Sequence, residues 1–293
     1  MPKVSVITCT FNRAHLIGET ILGVLGQTFH DFEYIIIDDG SEDDTEQVVN
    51  SFGDDRIRFF HHPRTGGHLS LLRNFGHTKS TGEYIAYVDS DDLWDPVKLE
   101  IQLNAMEKDP TIGFSFTDVD TFDHTGVLQK SFYHKLGDFT GSVFQQMLSN
   151  TLIICHTTLV VRTACLSKIG HMDETLHSGD HDMAFFLSRH YNAFVVFRPL
   201  VHVRKHAQNS TGSSELSLRL LEEHHKSLEK LYGQSLISAK EFKLAYQITS
   251  YSFGIQASTM GNHIAARRFL IKCLTYQPFY WKAWIRLVLL LPK

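Results

Sequence analysis

The chain has 293 residues, 43% of them hydrophobic, and a formal net charge of −4. That is enough apolar material for one full domain plus a smaller appendage, and it excludes a disordered chain. The acidic balance argues against a nucleic-acid binder, and the 4 cysteines, at 9, 155, 165 and 273, lack CxxC or framework spacing, which fits a reducing cytosol.

In chain order, Val4-Ser5-Val6-Ile7-Thr8 predicts a first strand, opening into Cys9-Thr10-Phe11-Asn12-Arg13. Apolar residues at 16, 17, 21, 22, 24 and 25 then have helical spacing. A second strand over 34–37 closes on Asp38-Asp39-Gly40-Ser41. A helix is expected around 44–52 and a strand over 57–60, ending at His61 and His62. The stretch 69–79, which carries Arg73-Asn74, reads as a helix, and Gly82 precedes a strand over 83–88. This alternation predicts an α/β fold with a mostly parallel sheet flanked by helices. Residues 110–180 carry little recognisable patterning.

After Ser214 the pattern turns helical, with Leu216, Leu220, Leu221, Leu228 and Leu231 ending at Gly233. Further helices are expected over 238–259, broken by Gly261-Asn262, and over 265–276, stopped before Pro278. Gly254, Gly261, Ala266, Leu270 and Pro278 resemble one tetratricopeptide-like helix pair, read as a helical cap because solenoids need ~3 or more repeats. The expected division is 1–213 and 214–293. Segment 279–291 mixes Tyr280, Trp281, Trp284, Ile285 and Leu287 with Lys282 and Arg286. Two readings stand for it: an amphipathic helix lying in a membrane interface, or a helix packed on the domain or a partner chain. No span of ~20 apolar residues is found, and residues 3–11 read as a strand rather than a leader. The expected location is therefore cytoplasmic, with the inner face of a membrane as the option that segment 279–291 raises.

The most informative stretch is Asp89-Ser90-Asp91-Asp92, directly after the strand over 83–88. Ligands of open α/β sheets bind beyond the carboxyl ends of strands. Clustered carboxylates there suit a hard cation that keeps positions for substrate phosphates, so the expected ligand is a metal–diphosphate. The alternative is a solvated acidic turn. A second acidic strand end, at Asp38-Asp39, favours the ligand.

Taken in order, these motifs resemble family 2 glycosyltransferases, which are nucleotide-sugar-dependent and have the GT-A fold. The matches are Val4-Ser5-Val6-Ile7 with Thr10-Phe11-Asn12-Arg13, Gln27-Thr28-Phe29, Asp38-Asp39-Gly40-Ser41-Glu42-Asp43, Arg73-Asn74-Phe75-Gly76, Gly82-Glu83-Tyr84-Ile85 and Asp89-Ser90-Asp91-Asp92. Gly170-His171-Met172-Asp173-Glu174, Asp180-His181-Asp182, and Arg204-Lys205-His206 with Asn209 and Ser210 follow, covering about residues 1–210. The resemblance implies a nucleotide-sugar site of Thr10, Phe11, Arg13, Asp39, Arg73, Asp89 and Ser90. Phe11 would lie against the nucleobase, Asp39 would accept the ring N–H of uracil, and Arg73 would hold the ribose or diphosphate. Asp91 would ligate Mn²⁺ or Mg²⁺ with His206 nearby, and Asp180 would be the catalytic base of an inverting transfer. The implied partners are a UDP-sugar donor and a glycan or lipid-linked acceptor in polysaccharide or cell-surface glycan synthesis; homo-oligomerisation is left open.

Some positions depart from the family pattern. Gly179 and His181 stand where an acid and an aromatic are common, Ala184 and Phe186 replace a Trp and an Arg, and Cys9 replaces a hydroxyl residue. An unusual acceptor side is therefore expected. The rival readings are a catalytically silent sugar-nucleotide binder and a sugar nucleotidylyltransferase; the latter lacks its glycine-rich basic loop here. Residue by residue, Asp38 and Asp39 could cap the next helix, Arg73 could be a surface ion-pair residue, and Phe11 could be core. His177 and His181 lie one turn apart, as a zinc pair would, but no third ligand is identifiable.

Overall fold

The computed structural model describes residues 1–133, 137–206, 209 and 214–290. Ser210 of the expected motif, residue 213 at the expected domain boundary, and Leu291 of the C-terminal apolar run lie outside them. By internal contacts the chain forms two compact units: Met1–Ser142 with Ile154–Lys205, and Val143–Ile153 with His206–Lys293. Segment 143–153 thus joins the helical unit, and a functional boundary at 213/214 remains a proposal.

The first unit begins with β1 (Val4–Thr10), α1 (Ile17–Leu25), β2 (Phe32–Asp38), α2 (Thr45–Asn50), β3 (Ile57–His61), α3 (Leu69–Lys79) and β4 (Tyr84–Tyr87), close to the periodicity-based expectation. Helix α1 buries Ile17, Thr20, Ile21 and Val24, an i, i+3, i+4, i+7 stripe that faces the sheet. Every residue of β2 is buried, as a strand covered on both faces requires. The chain from 93 to 204, which includes the weakly patterned 110–180, supplies β5 (Leu93–Trp94), α4 (Lys98–Lys108), β6 (Ile112–Asp123), β7 (Gly126–Gln129), β8 (Phe139–Gly141), α5 (Phe144–Leu148, in the second unit), β9 (Val160–Arg162), α6 (Thr163–Ile169), α7 (Asp180–His190) and β10 (Asn192–Arg204).

Among the described residues the strands make one sheet of order β3-β2-β1-β4-β9-β6-β10-β5, with β7 on β6 and β8 on β10. Strands β1 to β4 pair in parallel. Strand β9 is antiparallel to both β4 and β6, and β10 runs parallel to β6. The chain steps from β1 to β2 to β3 on one side, then returns to place β4 on the other side of β1. That is a topological switch point, where open sheets bind ligands. Register sets Thr10 opposite Asp38, and Asp38 opposite His61, so the exits of β1, β2 and β3 lie side by side. The exit of β4 delivers Asp89 to Asp92.

The second unit contains α5, α8 (Ser214–Gly233), α9 (Ala239–Thr259), α10 (His263–Tyr276) and α11 (Trp281–Leu289). Ser238 and Glu241 form a capping box at the start of α9. A Cβ on Gly254 would sit 2.7 Å from Leu270 Cγ, so Gly254 allows a close α9–α10 approach within the expected helix pair. Helix α11 buries Ala283 but exposes Trp281 (63%), Trp284 (52%) and Val288 (63%). No helix among the described residues is long and apolar enough to cross a membrane.

Candidate functional site

The exit of β1 is held by its neighbour. Asn12 adopts a positive φ of 50°, donates its N–H to Ser41 Oγ at 2.8 Å and accepts Glu42 N–H at 2.8 Å. Arg13 N–H donates to Thr45 Oγ1 at 2.9 Å. Asp38 accepts both the N–H (2.9 Å) and the hydroxyl of Ser41, so it serves the turn. Asp39, only 1% exposed, faces the other way. Its carboxylate accepts Thr65 N–H at 2.6 Å, Gly67 N–H at 2.8 Å and an Arg64 guanidinium N–H. The Arg64 guanidinium also lies over the Phe11 ring, 3.4 Å from its centroid. Phe11 is therefore not core.

Helix α3 organises the opposite wall. The Asn74 side chain donates to Met172 O (3.0 Å) and Glu174 Oε1 (2.8 Å) and accepts Met172 N–H (3.0 Å). Ser70 Oγ donates to Leu176 O at 2.5 Å. Arg73 is 3% exposed, so the surface ion-pair reading fails. Its Nη1 donates to Asp180 Oδ1 and to Ser178 O (3.2 Å), and its Nη2 lies 3.7 Å from Asp89 Oδ1. These anchors hold the segment leading into α7, whose first residue is Asp180. The departure at Gly179 has a backbone cause: Gly179 is the residue before α7 with φ +68°, a left-handed geometry in which a side chain is strained.

Burial alone would raise the Asp180 carboxyl, but Arg73, His156 and His181 outweigh it and hold it below the usual value. His156, which sequence reasoning missed, sits with Nδ1 3.4 Å from Asp180 Oδ1 and its ring 4.3 Å from that of Tyr87. Its Nε2 has no hydrogen-bond partner among the described residues. Burial, with Arg73 adding, pushes His156 down to about 3, so it stands beside Asp180 as a neutral imidazole. Its sequence neighbours in the weakly patterned 110–180 region offered no signal. Arg64, on the loop between β3 and α3, was missed as well. Cys9 belongs to this wall too, its thiol pushed up to about 12, chiefly by burial.

At the acidic turn Asp92 is buried, accepting Arg204 N–H at 3.1 Å, while Arg204 Nε donates to Asp91 O at 3.1 Å. Arg13 Nε lies 3.9 Å from Asp91 Oδ2, and Ser90 is buried. Thr10 is also buried, and its carbonyl accepts Asp39 N–H at 2.9 Å. Asp89 is raised to about 6, by burial first, with Asp91 and Asp180 adding and Arg73 opposing. Asp92 is driven up by burial and then by Asp89 and Asp91. Carboxylates that suppress one another's ionisation are relieved by a cation, so the donors fit Mg²⁺ or Mn²⁺ chemically. Among the described residues no group of three or more His, Cys, Asp or Glu could hold a metal, so a diphosphate would have to complete the shell. The same fact leaves the His177–His181 pair without a third ligand. The expected metal neighbour His206 falls at the start of the second unit, where its N–H donates to Asn209 Oδ1 at 2.5 Å; its role toward Asp91 remains a proposal.

The chain is similar to known proteins. A family model described as "Glycosyl transferase family 2" matches residues 5–170. An uncharacterised glycosyltransferase of Rickettsia bellii is 37% identical over 179 residues, 61% of this chain but 25% of that protein, so the match spans about a quarter of the relative's length. The Escherichia coli protein WfgD, a UDP-Glc:alpha-D-GlcNAc-diphosphoundecaprenol beta-1,3-glucosyltransferase, is 32% identical over 166 residues, covering 55% of this chain and 60% of WfgD. Residues 1–349 of S. aureus TarS, crystallised with UDP-GlcNAc, superpose with a TM-score of 0.68 at 18% identity, covering 98% of this chain and 89% of that one. A Pyrobaculum calidifontis mannosyltransferase in complex with GDP-Man and Mn²⁺ gives 0.59 at 17% identity, covering 99% and 86%. At these identities the structural likeness speaks for fold alone.

Proposed function

Because the chain belongs to glycosyl transferase family 2, we propose that it moves a sugar from a UDP-sugar to a hydroxyl of a glycan or lipid-linked acceptor, with inversion at the anomeric carbon. Its fold is the GT-A architecture that the motifs implied. The observation that carries the proposal is the convergence of Asp180, Arg73 and Asp89 at the switch point of the sheet. Asp180, ionised at neutral pH, takes the proton of the acceptor hydroxyl as that oxygen attacks the anomeric carbon. Arg73 supplies fixed positive charge beside the departing diphosphate. A divalent cation held by Asp91 with Asp89 would offset the charge that the diphosphate gains.

Both UDP-GlcNAc and GDP-Man occur in proteins of this fold, so the fold does not choose the base. Asp39 beside Phe11 favours uracil, whose ring N–H a buried carboxylate can accept. WfgD, named for a UDP-Glc donor and a diphosphoundecaprenol acceptor, supports the same donor class and a lipid-linked acceptor. Cell-surface glycan synthesis is the corresponding process. Family membership sets the nucleotidylyltransferase reading aside. The silent-binder reading predicts nucleotide binding without transfer.

Calorimetric titration of UDP with and without Mn²⁺ tests the site. Wild type is expected to bind UDP in a Mn²⁺-dependent manner, and Asp91→Asn to lose that dependence. Because the described residues offer too few ligands alone, Mn²⁺ without UDP should bind far more weakly. Tight Mn²⁺ binding in the absence of nucleotide, or UDP binding indifferent to metal and to Asp91, would refute the metal–diphosphate assignment.

The exposed face of α11 carries Trp281, Trp284, Ile285, Val288 and Leu289 together with Lys282 and Arg286, and no acid. Aromatic, apolar and cationic groups on one short helix suit the headgroup layer of an anionic bilayer, which fits a lipid-linked acceptor. Deleting residues 279–293 is expected to abolish co-sedimentation with phosphatidylglycerol vesicles. Equal sedimentation of both forms, or none by the full chain, removes the membrane contact.

A further inference from the structure

Arg64 stands in the place proposed for the nucleobase. A uracil bound as proposed would stack on Phe11 and donate its ring N–H to Asp39. In the structure the planar guanidinium of Arg64 does both, 3.4 Å over the Phe11 ring and donating to the Asp39 carboxylate. A carboxylate offers about four acceptor positions, and Arg64, Thr65 N–H and Gly67 N–H take three of them. We infer that Arg64 is a built-in substitute for the base and that the donor binds by exchanging its uracil for the Arg64 guanidinium. This rests on reading Phe11 and Asp39 as the base-binding pair.

The arrangement has a physical reason. Asp39 is only 1% exposed, and a buried carboxylate without donors is costly. Arg64 satisfies it while the donor is absent. The substitute can also leave: its side chain is 45% exposed, against 1% for Asp39, so its tip regains water on release. The loop that carries it follows β3, whose last residue, His61, pairs in register with Asp38, which places Arg64 within reach. Gly66 and Gly67 adopt φ of +79° and +82°, and a Cβ on either would meet nothing within 4 Å, so two of the four residues between Arg64 and α3 are unhindered. The two loop N–H groups stay with Asp39 when the guanidinium leaves, so one acceptor position is freed for the base rather than the whole carboxylate stripped.

A site occupied by its own side chain binds ligand with an affinity reduced by the fraction of time it stands open, so removing the occupant should tighten UDP binding by roughly tenfold or more. The experiment compares UDP titrations, with Mn²⁺ present, of wild type, Arg64→Ala and Arg64→Gln, alongside the Arg64 side-chain N–H signal in NMR. The expected result is tighter UDP binding by both variants. In wild type an Arg64 signal shifted by the Phe11 ring should move toward its solvent-exposed position as UDP saturates. Equal or weaker UDP binding by both variants overturns the exchange but leaves the nucleotide site standing, with Arg64 as a supporting contact. Failure of wild type and both variants to bind UDP overturns the base-site reading and the exchange with it.

Discussion

Replacing Asp180 by Asn is expected to lower sugar transfer by about 10²–10⁴-fold, the usual contribution of a positioned general base, while UDP binding stays nearly unchanged. Asn keeps the shape of the side chain but cannot accept the proton of the acceptor hydroxyl. Because Arg73, His156 and His181 hold the Asp180 carboxyl below its ordinary value of 3.8, the base is ionised throughout the neutral range. The acid limb of kcat/KM from this group should therefore lie below that ordinary value, and it should be missing from the residual activity of the variant. Steady-state assays of UDP release across pH read both effects. Transfer by Asp180→Asn at the wild-type rate would show that another group takes the proton and would revive the search among the neighbours of Asp180, His156 first.

Arg73→Ala should be the most destabilising single change in the site. The guanidinium is 3% exposed and binds Asp180, with Asp89 3.7 Å away. Removing one partner of a buried ion pair costs about 3–5 kcal/mol, and solvent at the partly exposed Asp180 places the expected loss toward the low end of that range. The loss should depend on pH. A carboxylate whose folded value is depressed stabilises above its unfolded value, and that stabilisation disappears as pH falls through the folded value. The part of the gap that comes from Asp180 should therefore be full at neutral pH and close below the ordinary carboxylate value of 3.8. Arg73→Lys should recover only part of the stability, since an ammonium retains the charge without the two-sided fork. Urea midpoints of the three proteins at neutral and acid pH provide the check. Identical midpoints for wild type and Arg73→Ala would mean that the pairing contributes nothing.

Much of this molecule was readable from local pattern. The α1 stripe, the apolar runs ending at Asp38 and after Tyr87, and the helices that start near Ser238 and Ala265 all show in the sequence, because helix period and strand patterning are set within a few residues. The motif order likewise carried the family and the candidate acids. The stretch 110–180 was opaque for a related reason: β9 is three residues long and the first eight residues of β6 are all buried, so no alternation marks them.

By itself, then, the sequence determined the βα rhythm, the acidic strand ends and the helical C-terminal region. Only the tertiary structure decided that Arg73 faces Asp180 rather than solvent, across 107 residues, that Arg64 covers Phe11 and Asp39, and that Gly179 needs its missing side chain for a left-handed turn. The physical reason is that periodicity records which face of an element is apolar. Which polar groups meet depends on strand order and register, and those are settled only when the sheet closes around the switch point between β1 and β4.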